Sequence, residues 1–155
     1  MAVRIKDFAD LERIIEGCIF YALAMTVKEV YDILQAKVDA YYAEYEPKKY
    51  VRTERFKDSL QVTVPVKNNK GYYSATVGFE DDYLTFQYPG APDWDGNIPA
   101  TGADVLYHFN NKLHGGTVDG KHEFWNEAMD EINTTHGSIE KLFIKHLKTP
   151  GLPVK

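Results

Sequence analysis

The chain has 155 residues, 44% of them hydrophobic and 26% charged, a balance that fits one folded globular unit and excludes a disordered or collagen-like polymer. Its single cysteine, Cys18, excludes an internal disulfide framework and a thiolate zinc module. The net charge of −5 argues against whole-surface attraction to the phosphates of nucleic acid.

From Phe8 to Tyr45 the apolar residues Leu11, Ile15, Cys18, Ala22, Met25, Val30, Ile33 or Leu34, Val38 and Tyr41 recur at helical spacing, which predicts one long helix over about 10–45. Asp10 is its expected N-cap, Gly17 and Thr26 are the expected places for a bend, and Pro47 forces Glu46 out of the α region and ends the helix near Tyr45. A helix this long exceeds the usual globular range, so part of it is expected to pack against something outside its own domain. Its longest apolar run, Cys18 to Met25, is too short to span a bilayer, and the acidic residues Asp7, Asp10, Glu12 and Glu16 ahead of it do not suit a signal peptide.

Leu60 to Val66, Tyr72 to Phe79 and Tyr83 to Tyr88 alternate and are rich in Val, Thr, Tyr and Phe, which predicts three strands of a meander. Residues 67–71 form the first hairpin loop and Glu80-Asp81-Asp82 the second connection, while Pro65 belongs on an edge or at a bulge. A fourth strand is expected over Asp104 to Phe109, after a long Pro/Gly loop over 88–103. Two helices close the chain, about 122–132 and 138–148, the second capped by Ser138 and stopped by Pro150 and Gly151. The order predicts a single α+β domain over 1–155: a long N-terminal helix packed on a small antiparallel sheet, with two short C-terminal helices.

Catalytic motifs are incomplete. Residues 115–121 fit GxxxxGK, but His122 stands where a magnesium-binding hydroxyl belongs. His108, His114, His122, Glu123 and Glu127 offer metal ligands without a diagnostic spacing, because Asn126 replaces the second histidine of HExxH. Cys18 lies on the apolar stripe, Ser59 has no nucleophile turn around it, and the 133–135 sequon would go unused in a cytoplasmic protein. A small metal- or phosphate-using enzyme centred on His108, His114, Lys121 and His122 is therefore the alternative reading.

Charge and aromatics are distributed unevenly. Tyr41, Tyr42, Tyr45 and Tyr50 lead directly into Lys48, Lys49, Arg52, Arg55 and Lys57, with Glu54 the only acid in 48–57. Residues 71–111 contain no Lys or Arg but carry Glu80, Asp81, Asp82, Asp93, Asp95 and Asp104. Complementary patches on one chain suit a head-to-tail contact between copies, with Tyr, Arg and Trp94 as anchors. The same charges pairing within one subunit would be worth only about 0–1 kcal/mol per exposed pair.

The run Tyr42-x-x-Tyr45-x-Pro47-x-x-Tyr50-x-Arg52-Thr53-x-x-Phe56-x-Asp58-Ser59-Leu60 resembles the head–tail joining and tail-completion proteins of long-tailed bacteriophages. His114-Gly115-Gly116, then Phe124-Trp125 opening a helix, and the closing Leu147…Gly151-Leu152-Pro153-Val154 are similar to that family's ending. The resemblance implies a structural virion protein without catalysis or cofactor, forming a ring, commonly six-fold, at the neck or top of the tail. It implies other neck and tail proteins as partners, DNA passing through the ring without sequence recognition, and the host cytoplasm before assembly. The contact residues expected from the charge pattern are then Tyr42, Tyr45, Lys48, Lys49, Tyr50, Arg52, Arg55, Lys57, Glu80, Asp81, Asp82, Asp93, Trp94 and Asp95.

Overall fold

The computed structural model describes residues 5–44, 55–84 and 123–150. Helix α1 runs Phe8–Glu44 without interruption through Gly17 and Thr26, roughly 55 Å at 1.5 Å per residue. Its cap is Asp7, not Asp10: the Asp7 carboxylate accepts from the Asp10 amide at 2.8 Å, the geometry that satisfies an orphan N–H of the first turn. Asp10, already inside the helix, pairs with Arg13 at 2.6 Å. Thr26 turns its hydroxyl back to the Ala22 carbonyl at 2.7 Å, so this buried polar side chain is satisfied inside the helix.

After α2 (Arg55–Asp58) the chain enters a ribbon running back along α1. The ribbon consists of β1 (Leu60–Val62), β2 (Val66–Lys67), β3 (Tyr73–Ser74) and β4 (Val77–Phe79). The expected strands 60–66 and 72–79 are each split in two: β1 pairs antiparallel with β4 and β2 with β3, in separate ladders. The registers explain the split. Leu60 faces Phe79 whereas Val66 faces Ser74, so between the ladders the first strand carries one residue more than the second. That extra residue falls at Val64-Pro65, a bulge where the missing N–H of proline costs no ladder bond. At the ribbon tip the Gly71 amide donates to the Asn68 carbonyl, and the Asn68 side chain accepts from the Lys70 and Tyr72 amides. Gly71 takes a φ of 83°, which glycine adopts without the clash a Cβ brings.

The strand expected over 83–88 does not begin as one: Asp81–Leu84 is a single helical turn, α3, closed by the Tyr83 amide on the Glu80 carbonyl. Three acidic residues at its start favour a helix N-terminus, and this local chemistry outweighs the alternation downstream. Residues 85–88, the long loop and the strand over 104–109 lie outside the described residues.

Helices α4 (Phe124–His136) and α5 (Ile139–Lys148) close the fold and both pack on α1. Helix α4 runs four residues beyond its expected end, to His136, and is closed by Gly137, which takes φ 82° and donates its amide to the Asn133 carbonyl. Ser138 then caps α5 as expected, accepting from the Lys141 amide at 3.2 Å. The core joins Val30, Leu34 and Val38 of α1 to Phe56, Leu60, Phe124, Ala128, Ile132 and Leu142. Each fully buried Leu or Ile contributes about 1.5–3 kcal/mol. At the C-terminal end of α1, Phe56 stacks on Phe79 at 5.1 Å and Phe124 closes on both rings. The fold is α+β, as the sequence predicts.

Candidate interaction surfaces

Three surface features stand out, and α1 takes part in each. The first is its own N-terminal third. Cys18 and Ala22 are buried, but the same stripe continued backwards becomes exposed: Ile15, Phe8 at 80% and Ile5 at 51%. The described cover on this side stops at the ribbon tip. There Tyr73 packs edge-on against Phe20 at 5.4 Å, and Glu16 accepts from Lys67 at 2.9 Å and from the Tyr73 hydroxyl at 3.1 Å. The Lys67 and Tyr73 hydrogen bonds hold the Glu16 carboxyl below its usual 4.5, while Glu16 raises Lys67.

The second feature is a clip at the middle of α1. Glu29 takes His136 Nε2 on one oxygen and His146 Nε2 on the other, each at 2.8 Å, with the Lys145 ammonium 3.6 Å away. A carboxylate only accepts, so the hydrogen-bonded His146 imidazole donates from Nε2, while His136 Nε2 lies beside the other oxygen. Burial pushes the Glu29 carboxyl upward, but the His146 hydrogen bond and the charges of Lys145, His136 and His146 outweigh it and hold it below 4.5. Both histidines face one carboxylate instead of converging on a vacant point. Among the described residues no cluster of His, Cys, Asp or Glu is arranged to hold a metal ion.

The third feature is a shallow groove of about 560 Å³ between α1 and β1, lined by Tyr31, Gln35, Lys57, Asp58, Leu60, Gln61, Val62 and Tyr83. A polar chain runs along its α1 wall: the Tyr31 hydroxyl donates to Gln35, and Gln35 donates to Asp39, which also pairs with Lys57 at 2.7 Å. The Lys57 hydrogen bond outweighs partial burial and, with Gln35, holds the Asp39 carboxyl below its usual 3.8.

The residues expected to meet a partner fall unevenly on this frame. Lys57 is held by Asp39, and Arg55 reaches across to the Asp82 carbonyl at 3.3 Å, so the basic and acidic segments touch within one chain where α2 meets α3. Glu80 and Asp82 are exposed, and Asp81 opens α3. Tyr42 is half-buried beside the core and meets Tyr41 edge to face at 5.5 Å, a packing role. Tyr45, Lys48, Lys49, Tyr50, Arg52, Asp93, Trp94 and Asp95 lie outside the described residues, as do His108, His114, Lys121 and His122 of the enzyme reading. Glu123, beside that cluster, accepts from the Asn126 side chain at 3.0 Å, and Glu127 is exposed. The Glu29 clip went unseen in the sequence because its partners are more than a hundred positions away and obey no local period; the one signal was a glutamate set between apolar residues of the α1 stripe.

These elements define a small, helix-dominated α+β protein whose longest helix carries its apolar stripe beyond its own cover. No helix among the described residues is long and apolar enough to cross a membrane. The YomN family model matches residues 7–149, nearly the whole chain, and the chain belongs to that family. The family is associated with phages and prophages. No curated protein and no solved structure matches the chain.

Proposed function

We propose that this chain is a structural, non-catalytic component of a phage or prophage virion, joining head to tail as a ring of identical copies at the neck or the top of the tail. The observation that carries the reading is the uncovered apolar stripe at the start of α1, where Phe8 is 80% exposed. A contiguous apolar surface on a small water-facing protein marks a contact site, and a helix too long for its own domain is a natural strut between subunits. Membership of a phage-associated family supports the setting. The sequence resemblance to head–tail joining proteins supports the place within the particle.

Assembly of this kind is heterologous: one patch meets a different patch on the next copy, and the ring closes when the rotation divides a full turn. Electron microscopy of the purified full chain, alone and with the other neck and tail proteins of the same phage, tests the proposal. Closed rings, or incorporation at the head–tail junction of particles, are expected. Particles that join heads to tails normally when this gene is deleted would contradict it.

A further inference from the structure

The five most exposed large apolar side chains among the described residues fall in two places. Phe8 at 80% and Ile5 at 51% belong to the start of α1; Val64 at 77%, Tyr72 at 68% and Val66 at 53% belong to the outer end of the ribbon. The register explains why the ribbon shows apolar groups to water. Lys67 and Tyr73 lie opposite each other and both turn to α1, Lys67 to Glu16 and Tyr73 to Glu16 and Phe20. Side chains alternate along a strand, so Val66 and Tyr72, one position away on each strand, face outward. The Asn68 amide donates to the Tyr72 carbonyl at 2.9 Å and extends the pairing to that position. Valine and tyrosine suit a strand face that is covered, yet both stand in water.

We infer that the outer face of this ribbon covers the α1 start of the next copy, so that Val66 and Tyr72 of one chain pack on Phe8 and Ile15 of another. The inference rests on the ring reading above and names its second patch. Two observations select a second copy as the occupant. Charge is one: residues 5–16 carry Asp7, Asp10, Glu12 and Glu16 against Lys6 and Arg13, whereas residues 64–74 carry Lys67 and Lys70 and no acid. Glu12 and Lys70 are exposed and form no ion pair among the described residues. A helix start laid on another helix start, or a ribbon on a ribbon, sets like charges together; a helix start on a ribbon sets opposite charges together. Placement is the other. Neighbouring residues of an α-helix are about 100° apart, so Phe8 and Ile15 lie about 80–140° around α1 from Glu16 and Phe20, which hold the ribbon. Each copy therefore offers the two patches in different directions at one end, and a contact between unlike patches repeats from copy to copy until a ring closes.

Mixing two half-defective variants tests the contact. Phe8→Ser with Ile15→Ser removes the helix patch, and Val66→Ser with Tyr72→Ser removes the ribbon patch. Mass by sedimentation and circular dichroism are measured for each alone and for an equimolar mixture. The wild type is expected to assemble and each variant to be a folded monomer. The mixture is expected to give a complex of two chains and nothing larger, since only one intact helix start meets one intact ribbon. Self-assembly of either variant at wild-type strength would overturn the inference, because one patch would then suffice, and would leave the ring reading standing. A mixture that stays monomeric would do the same. A variant that unfolds would assign its patch to the core of its own chain and overturn the inference as well. Lys70→Glu changes only an exposed charge and gives an independent readout: assembly is expected to weaken about two- to fivefold at low salt, and unchanged assembly would overturn the choice of occupant. A wild type that is monomeric at every concentration would overturn the contact between copies; the ring reading then stands or falls on incorporation into particles, which electron microscopy scores separately.

Discussion

Glu29 ties three helices together through its contacts with His136, Lys145 and His146, and its worth follows from what is left when it is removed. His146 is buried, so truncating its partner strands a polar ring away from water. Glu29→Ala is expected to lower unfolding free energy at neutral pH by about 1–3 kcal/mol, read by urea denaturation. The pH dependence has a definite sign. The native Glu29 carboxyl titrates below 4.5, so the clip's contribution is present above that value and is lost as pH falls through the depressed native one. Glu29→Ala should therefore flatten the acid limb of the stability curve below about 4.5; an unchanged limb would assign that slope to Glu16, Asp39 and Glu140, which are shifted in the same direction. Ile132, fully buried among Val30, Leu34 and Leu142, has no such polar function. Ile132→Ala should cost about 2–5 kcal/mol at every pH where the chain folds, the ordinary penalty of a core cavity.

Helix boundaries show why some elements are legible in sequence and others are not. The last helix was readable because its signals are local: Ser138 caps it, and Ser138→Ala should cost about 1 kcal/mol in thermal or denaturant unfolding. The long first helix is equally plain from its stripe, yet the sequence alone puts its cap three residues late, because Asp7 and Asp10 are chemically alike and only the fold decides which amide lies within reach. Glu80 to Asp82 looked like a turn between strands, and a single acidic helical turn is nearly indistinguishable from one in composition. Pro65 signals an edge or a bulge without deciding between them, and the one-residue shift between the two ladders depends on long-range pairing that no local pattern encodes. The exposed stripe at the start of α1 was legible as an excess of helix, and it makes a prediction at this scale. Phe8→Ser together with Ile15→Ser should leave the melting temperature of the monomer nearly unchanged while weakening association at least tenfold, measured by concentration-dependent sedimentation. A marked loss of monomer stability would place those side chains in the core instead.

The whole molecule is electrically divided in sequence, and the described parts show how that division is used. Lys57 and Arg55 turn to Asp39 and to the Asp82 carbonyl, so this end of the basic segment is spent on holding α2 against α1 and α3. Exposed pairs of this kind contribute little, about 0–1 kcal/mol each. They cannot supply the main affinity of a ring; in the proposed assembly apolar burial at α1 would be the stronger term, with charge setting register. Association should accordingly fall only modestly with salt, in contrast to a contact carried by Lys48, Lys49 and Arg52 against Asp93 and Asp95, which would fail steeply once the Debye length shrinks to about 3 Å at 1 M. The measurement that reaches the central claim most directly is mass in solution by light scattering on the full chain, across concentration and at low and high salt. A closed oligomer of fixed stoichiometry that persists at high salt is the expected result. A monomer at every concentration, unchanged by the other neck and tail proteins of the same phage, would contradict it.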